Sequence, residues 1–249
     1  MKKAFLPLAV AALLTTATTA QDSRGVKLGI KAAPSLSWIR SSTKEIKGDG
    51  MNLGFSFGLM TDFRLGSDNY ALSTGLFLNL TGAKQKSTSY HTKLAGLDRT
   101  IPAFEFKRSY QYVELPILIK LKTNEIGYMT YYGQLGFGSA FCVTAKSDVY
   151  KYDAAATGLG QDAKFTHEEK ANILKETVPF RASLVVGIGA EYKFAGNTTM
   201  VFGLNYNNGF TDTFDKQKLF KREANEEITD EVEVHGKLHY AELLLGVYF

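Results

Sequence analysis

From residue 25 onward the chain alternates apolar and polar positions with a period of two, the signature of β-strands whose two faces meet different surroundings. Val26, Leu28, Ile30 and Ala32 alternate with Lys27, Gly29 and Lys31. Leu53, Phe55, Phe57, Leu59, Phe63 and Leu65 oppose Asn52, Gly54, Ser56, Gly58, Asp62 and Arg64. A third segment sets Leu72, Leu76, Leu78 and Leu80 against Ser73, Gly75 and Asn79. In the fourth, SYQYVELPILIKLK, one face reads Gln111, Val113, Leu115, Ile117, Ile119, Leu121, and the other carries Glu114, Lys120 and Lys122. Four further segments follow the same rule, around Met129–Tyr131–Leu135–Phe137, Phe180–Leu184–Val186–Ile188, Met200–Phe202–Leu204–Tyr206 and Ala241–Leu243–Leu245–Val247. The pattern predicts eight strands.

The connections alternate in length. GSDN, TNEIG and AGN are short turn signals after the second, fourth and sixth strands. The other four span roughly residues 40–50, 82–108, 142–175 and 211–235. Compact soluble domains seldom carry several loops of that size. Short turns on one side and long loops on the other mark a transmembrane β-barrel. The expected fold is therefore all-β: an eight-stranded antiparallel up-and-down transmembrane β-barrel with short periplasmic turns and four long extracellular loops.

Charge decides which face meets lipid. Lys27, Lys31, Asp62, Arg64, Glu114, Lys120, Lys122, Arg181, Glu191, Lys193 and Glu242 all fall on one side of the alternation. Arg or Lys on the lipid face costs ~2–4 kcal/mol at the bilayer midplane. The charged side must face the lumen and the aliphatic side the hydrocarbon. A soluble lipocalin-type barrel would need the opposite arrangement. Buried charges need partners, so Glu114, Glu191 and Glu242 are expected to pair with Lys120, Arg181 and Lys193 in a lumen charge network. Pro116 cannot donate to a ladder, which predicts a bulge or locally broken pairing there.

The first residues read differently. Lys2 and Lys3 precede an apolar run at 4–14 and a small-residue end, the layout of a secretory signal peptide cleaved after Ala20. The run is too short for a spanning helix, which needs ~20 residues. The expected division is a signal peptide at 1–20 and a barrel domain at 21–249. Without Lys2 and Lys3, 27 basic residues face 25 acidic ones, and nothing in that balance points to nucleic acid. The single cysteine, Cys142, excludes an internal disulfide and paired-cysteine zinc sites.

GVKLGIKAAPSLS, YQYVELPILIKLK and LLLGVYF together resemble the PorT-like family of small outer-membrane β-barrels of Gram-negative envelopes. The middle motif is the most specific. The resemblance covers roughly residues 25–249 apart from the long loops, and it implies fold and outer-membrane location more than activity. One branch of that family is linked to a secretion apparatus. Phe249, the last residue, resembles the terminal aromatic read by the barrel assembly machinery, and also suits an interfacial girdle.

Three function classes follow. An eight-stranded barrel is just wide enough to be filled by its own side chains, which favours a binding or structural envelope protein, or an accessory of a secretion-type outer-membrane assembly. A narrow porin-like channel is the first alternative and a lipid-modifying barrel enzyme the second. For the enzyme, His91, His167, His235 and His239 are the available bases, but no GxSxG or HExxH motif accompanies them; no catalytic residue, metal ligand or cofactor is assigned. The acidic run 223–233 is expected to be a solvated loop, lacking the glycine-centred geometry of a calcium loop. The basic loop 82–108 is expected either to pair with the acidic loop 211–235 across the mouth or to touch lipopolysaccharide phosphates. Expected partners are outer-membrane lipid and lipopolysaccharide, the assembly machinery and an envelope protein.

Overall fold

A computed structural model describes residues 25–41, 46–87, 90–94, 97–101, 105–152, 165–214, 218–221, 230–233 and 235–249. Eight long strands build the wall: β1 (Val26–Ser41), β3 (Asn52–Arg64), β4 (Tyr70–Ser87), β7 (Glu105–Lys122), β8 (Met129–Tyr152), β10 (Phe180–Ala195), β11 (Thr198–Asp212) and β14 (Gly236–Tyr248). Each pairs antiparallel with the next wall strand along the chain, and β1 with β14 closes the ring. Among the described residues, closure leaves the eight-stranded wall without an open edge. Both ends of the wall, at Val26 and Tyr248, lie at the end that carries the short turns.

Those three turns are tight because glycine permits it. Gly66, Gly127 and Gly196 have φ of 74°, 66° and 55°, backbone that a side chain disfavours. At the other end the connections are built rather than structureless. β2 (Ile46–Gly48) adds to β4, β9 (Phe165–Asn172) adds to β8, and β5 (Tyr90–Leu94) with β6 (Leu97–Ile101) and β12 (Lys218–Lys221) with β13 (Asp230–Glu233) form hairpins. The wall strands β4, β7 and β8 also run well into the expected loops 82–108 and 142–175. Alternation of apolarity stops where hydrocarbon stops, but backbone N–H and C=O groups still need partners, so the ladder continues past the point where the sequence signal fades.

Prolines interrupt that ladder on one side only. Pro116 keeps its register with Gly138 on β8, whereas the β4–β7 pairing lapses between Thr74↔Ile117 and Phe77↔Glu114. Thr74 donates its hydroxyl to the Pro116 carbonyl at 2.7 Å across this gap. Pro34 behaves alike, paired to Phe55 while the β1–β14 ladder skips it. The bulge on β7 lies elsewhere, at Gln111/Tyr112.

The two faces separate cleanly. Leu53, Leu76, Ile117, Leu135, Phe137, Ile188 and Leu204 are each more than half exposed on the outer surface, while polar side chains such as Asn79, Ser56 and Ser183 are sealed inside. Among the described residues no helix is long and apolar enough to cross a membrane, a criterion that does not apply to strands.

Candidate functional site: the filled lumen

The lumen is layered along its axis. Nearest the turn end, Lys120 Nζ donates to Asp62 Oδ2 at 2.7 Å and to the Tyr248 hydroxyl at 3.1 Å, and lies 3.5 Å from Glu191 Oε1. Lys122 Nζ lies 3.3 Å from Asp62 and 3.0 Å from Glu191. Lys27, half exposed at the mouth, reaches Glu191 Oε2 at 3.3 Å. Beneath this cluster a vestibule of about 690 Å³ opens outward, lined by Lys27, Asp62, Arg64, Lys122 and Glu191.

Midway, Lys31 is ion-paired with Glu242 and sits 4.4 Å from the Phe77 ring centre. Asn205 donates to Glu242 at 2.9 Å and accepts from Gln134 at 2.7 Å. Met60, Phe77, Tyr132, Val201, Leu244 and Tyr248 pack around these groups. Tyr132 fits because a Cβ on Gly189 or Gly203 would come within 2.4 Å of its hydroxyl. The enclosed space left at this level is about 40 Å³, little more than a water or two.

Above it stands a second polar layer centred on Glu114. Its carboxylate accepts from Tyr240 at 2.8 and 2.9 Å, Asn79 at 3.0 Å, Asn207 at 3.3 Å and Arg181 at 3.3 Å. The Arg181 guanidinium lies 5.1 Å from the ring centres of both Tyr112 and Tyr240. All the lone-pair directions of this buried carboxylate are used, which is what a charge in low dielectric requires.

The loop end is closed by an apolar stopper. Ile39, Ala83, Tyr110, Ala145, Leu238, Ile173 and Phe214 form one buried cluster. Ile173 precedes a single 3-10 turn, Leu174–Glu176, and Phe214 follows β11. The two segments are tied together by the Thr177↔Phe214 bridge. Arg108 covers Phe214 at 4.0 Å.

Of the residues singled out by sequence, Glu114, Lys120, Arg181, Glu191 and Glu242 all project into this interior. Glu114 meets Arg181, and Glu191 meets Lys120. Glu242 instead takes Lys31. Lys193 departs from the expected network: it is largely exposed beyond the turn end of the wall and lies 3.8 Å from Glu125, because the strand outruns the lumen there. Asp62, Asn79, Asn207, Tyr240 and Lys31 complete the clusters. Their inward parity was legible in the alternation, but their partners were not. Phe249 ends the chain with its N–H donating to Leu28 O at 2.9 Å.

The histidines do not converge. His91 and His167 belong to β5 and β9, and the side chains of these two histidines fall outside the described residues. His239 lies on the outer face of β14, stacked on Trp38. His235 is oriented by Asp212 at 2.9 Å, and the neighbouring Ser41 hydroxyl donates to the His235 carbonyl at 3.1 Å. Among the described residues no group of three His, Cys, Asp or Glu is placed to hold a metal. Of the acidic run, residues 230–233 form β13, with Glu233 opposite Lys218 and Asp230 opposite Lys221 in the register; residues 222–229 lie outside the described residues. β12 approaches β5, so the acidic and basic connections meet at the mouth.

The chain is similar to several solved outer-membrane proteins. Neisserial surface protein A is 14% identical, covering 90% of this chain and 98% of its own, with a TM-score of 0.40. The outer membrane protein OprG from Pseudomonas aeruginosa is 12% identical over 90% and 96%, with a TM-score of 0.43. Ail, the attachment invasion locus protein of Yersinia pestis, is 14% identical over 90% and 99%, with a TM-score of 0.35, in a complex with the heparin analogue sucrose octasulfate. No curated protein matches the chain. Residues 19–215 match the family model described as "Outer membrane protein beta-barrel domain", and the chain belongs to that family of outer-membrane barrels.

Proposed function

We propose that this protein is a closed outer-membrane barrel that conducts no solute and performs no catalysis, serving as a binding or structural element of the envelope. The observation that carries this is the lumen itself. Three ion-paired levels and an apolar stopper lie in series between its ends, and opening such a path would strand several buried charges. Length and chemistry of the loop-end hairpins make them the surface available to partners.

The orientation follows from transmembrane-barrel rules, with short turns periplasmic and long connections extracellular. Export requires the signal peptide at 1–20, with cleavage after Ala20, leaving 21–249 as the barrel domain. Phe249 serves as the terminal recognition residue for barrel assembly. The resemblance of three motifs to PorT-like barrels supports a role as accessory of a secretion-type assembly, with lipopolysaccharide and an envelope protein as neighbours. No step in this role needs a cofactor.

Planar-bilayer recording of the refolded chain tests the closed lumen: the expected trace is flat at applied voltage. Steady single-channel steps would sink it in favour of the porin-like alternative. Crosslinking in native membranes, with identification of the captured neighbour, tests the accessory role; a chain that captures only lipid and assembly machinery speaks against it.

A further inference from the structure

The outer wall carries a feature that the lumen does not explain. On the lipid side, strands β1, β10, β11 and β14 enclose an apolar groove of about 660 Å³. Its floor is low because Ala241 stands between larger neighbours, Leu36, Leu204, Ile188 and Leu243. At the loop-end rim of the groove Trp38 stacks on Tyr206 at 6.1 Å and on His239 at 6.2 Å. One further step along the same strands, Arg40 and Lys237 stand directly opposite each other in the β1–β14 register.

That last pairing is unfavourable as it stands. Like charges directly opposite on an antiparallel pair repel. Both side chains are exposed, and neither has an ion-pair partner among the described residues. The nearest carboxylate in the register, Asp212 opposite Lys237, is engaged by His235 at 2.9 Å. Between the cations and the groove, His239 is 4% exposed with both ring nitrogens unpartnered. A neutral imidazole carries one N–H donor, so this buried group also lacks an acceptor.

We infer that this face holds one phosphate-bearing, acylated lipid of the outer leaflet, its chain in the groove and its phosphate between Arg40 and Lys237. An apolar groove opening into hydrocarbon admits only what the membrane supplies. Two unpaired cations at its water-side rim select a headgroup with negative charge. His239 supplies a hydrogen bond at the glycerol or sugar level, and Trp38 sits at the interface where indole is favoured. The site rests on the outer-membrane placement of the barrel and on its long connections being extracellular.

Trp38 is the single tryptophan of the chain and reports on this spot alone. The full chain is reconstituted in phosphatidylcholine vesicles containing a minor fraction of either dibrominated phosphatidic acid or dibrominated phosphatidylcholine. Fluorescence of Trp38 is expected to show preference for the anionic quencher on the order of thirtyfold, the enrichment expected for two surface cations. In Arg40→Gln/Lys237→Gln the preference falls to parity, while barrel folding, read by heat-modifiable gel migration, is unchanged. Inorganic phosphate, lacking a chain, does not compete. Equal quenching by both lipids in the wild type, a preference that survives the double substitution, or full competition by phosphate overturns the site alone. Failure of both brominated lipids to quench overturns the membrane placement as well.

Discussion

The two ends of the lumen are filled by opposite means. At the turn end Asp62, Lys120, Lys122 and Glu191 form a charge cluster that borders an open vestibule. At the loop end Ile173, Phe214, Leu238 and Tyr110 exclude water by packing. Lys27, half exposed at that rim, keeps part of its hydration and tolerates rearrangement, while Asp62, Lys120 and Glu191 are buried and held by one another. A stopper facing outward gains from removing apolar surface from water, and seals without needing a geometry of hydrogen bonds. Between them, the Glu114 layer is the most constrained point, since one buried carboxylate there accepts from Tyr240, Asn79, Asn207 and Arg181.

Breaking that middle layer has the largest expected effect. Glu114→Ala leaves Arg181 buried without its carboxylate and should destabilise the barrel by about 3–5 kcal/mol, measured as the urea midpoint of reversible unfolding in detergent or vesicles. A smaller loss, with the midpoint near wild type, would mean that the layer is wet. Next comes the stopper. Phe214→Ala removes an aromatic from a packed cluster, at a cost of about 3 kcal/mol, yet the recorded conductance should stay flat because the polar layers below remain. Conductance in that variant would move the seal from the charges to the stopper.

The turn end should be more forgiving. Lys27→Gln deletes one half-exposed partner of Glu191, while Lys120 and Lys122 still flank that carboxylate; the expected cost is below about 1 kcal/mol. The smallest effect belongs to the turn itself. A hydrogen bond from Arg64, reinforced by its charge, holds the Asp68 carboxyl below its ordinary pKa. The sign follows: this contribution is present above the ordinary carboxylate value and is lost as pH falls through the lowered one. Asp68 is fully in solvent, so Asp68→Asn should match wild type in unfolding midpoint from neutral pH down to about pH 4.

Particular residues show how far the sequence could be read. Alternation placed Glu114, Arg181 and Glu242 on the inner face without coordinates, since parity along a strand is local. It could not pair Glu242 with Lys31 rather than Lys193, because that depends on how far each strand is staggered around the ring. Pro116 likewise signalled a broken ladder, but which neighbour loses its bond depends on which side the missing N–H faces. Phe214 and Ile173 carried no readable signal. Both lie in connections, where an isolated apolar residue has no period to reveal it.

Strand parity, the lipid-facing side and the alternation of short and long connections were thus determined by the sequence alone, since a two-residue period and turn chemistry act between near neighbours. The partners inside the lumen, the stopper, and the meeting of Arg40 with Lys237 above an apolar groove were decided only by closure of the sheet. Closure and shear bring together residues as distant along the chain as Lys31 and Glu242, 211 positions apart, and no local period encodes a distance of that kind.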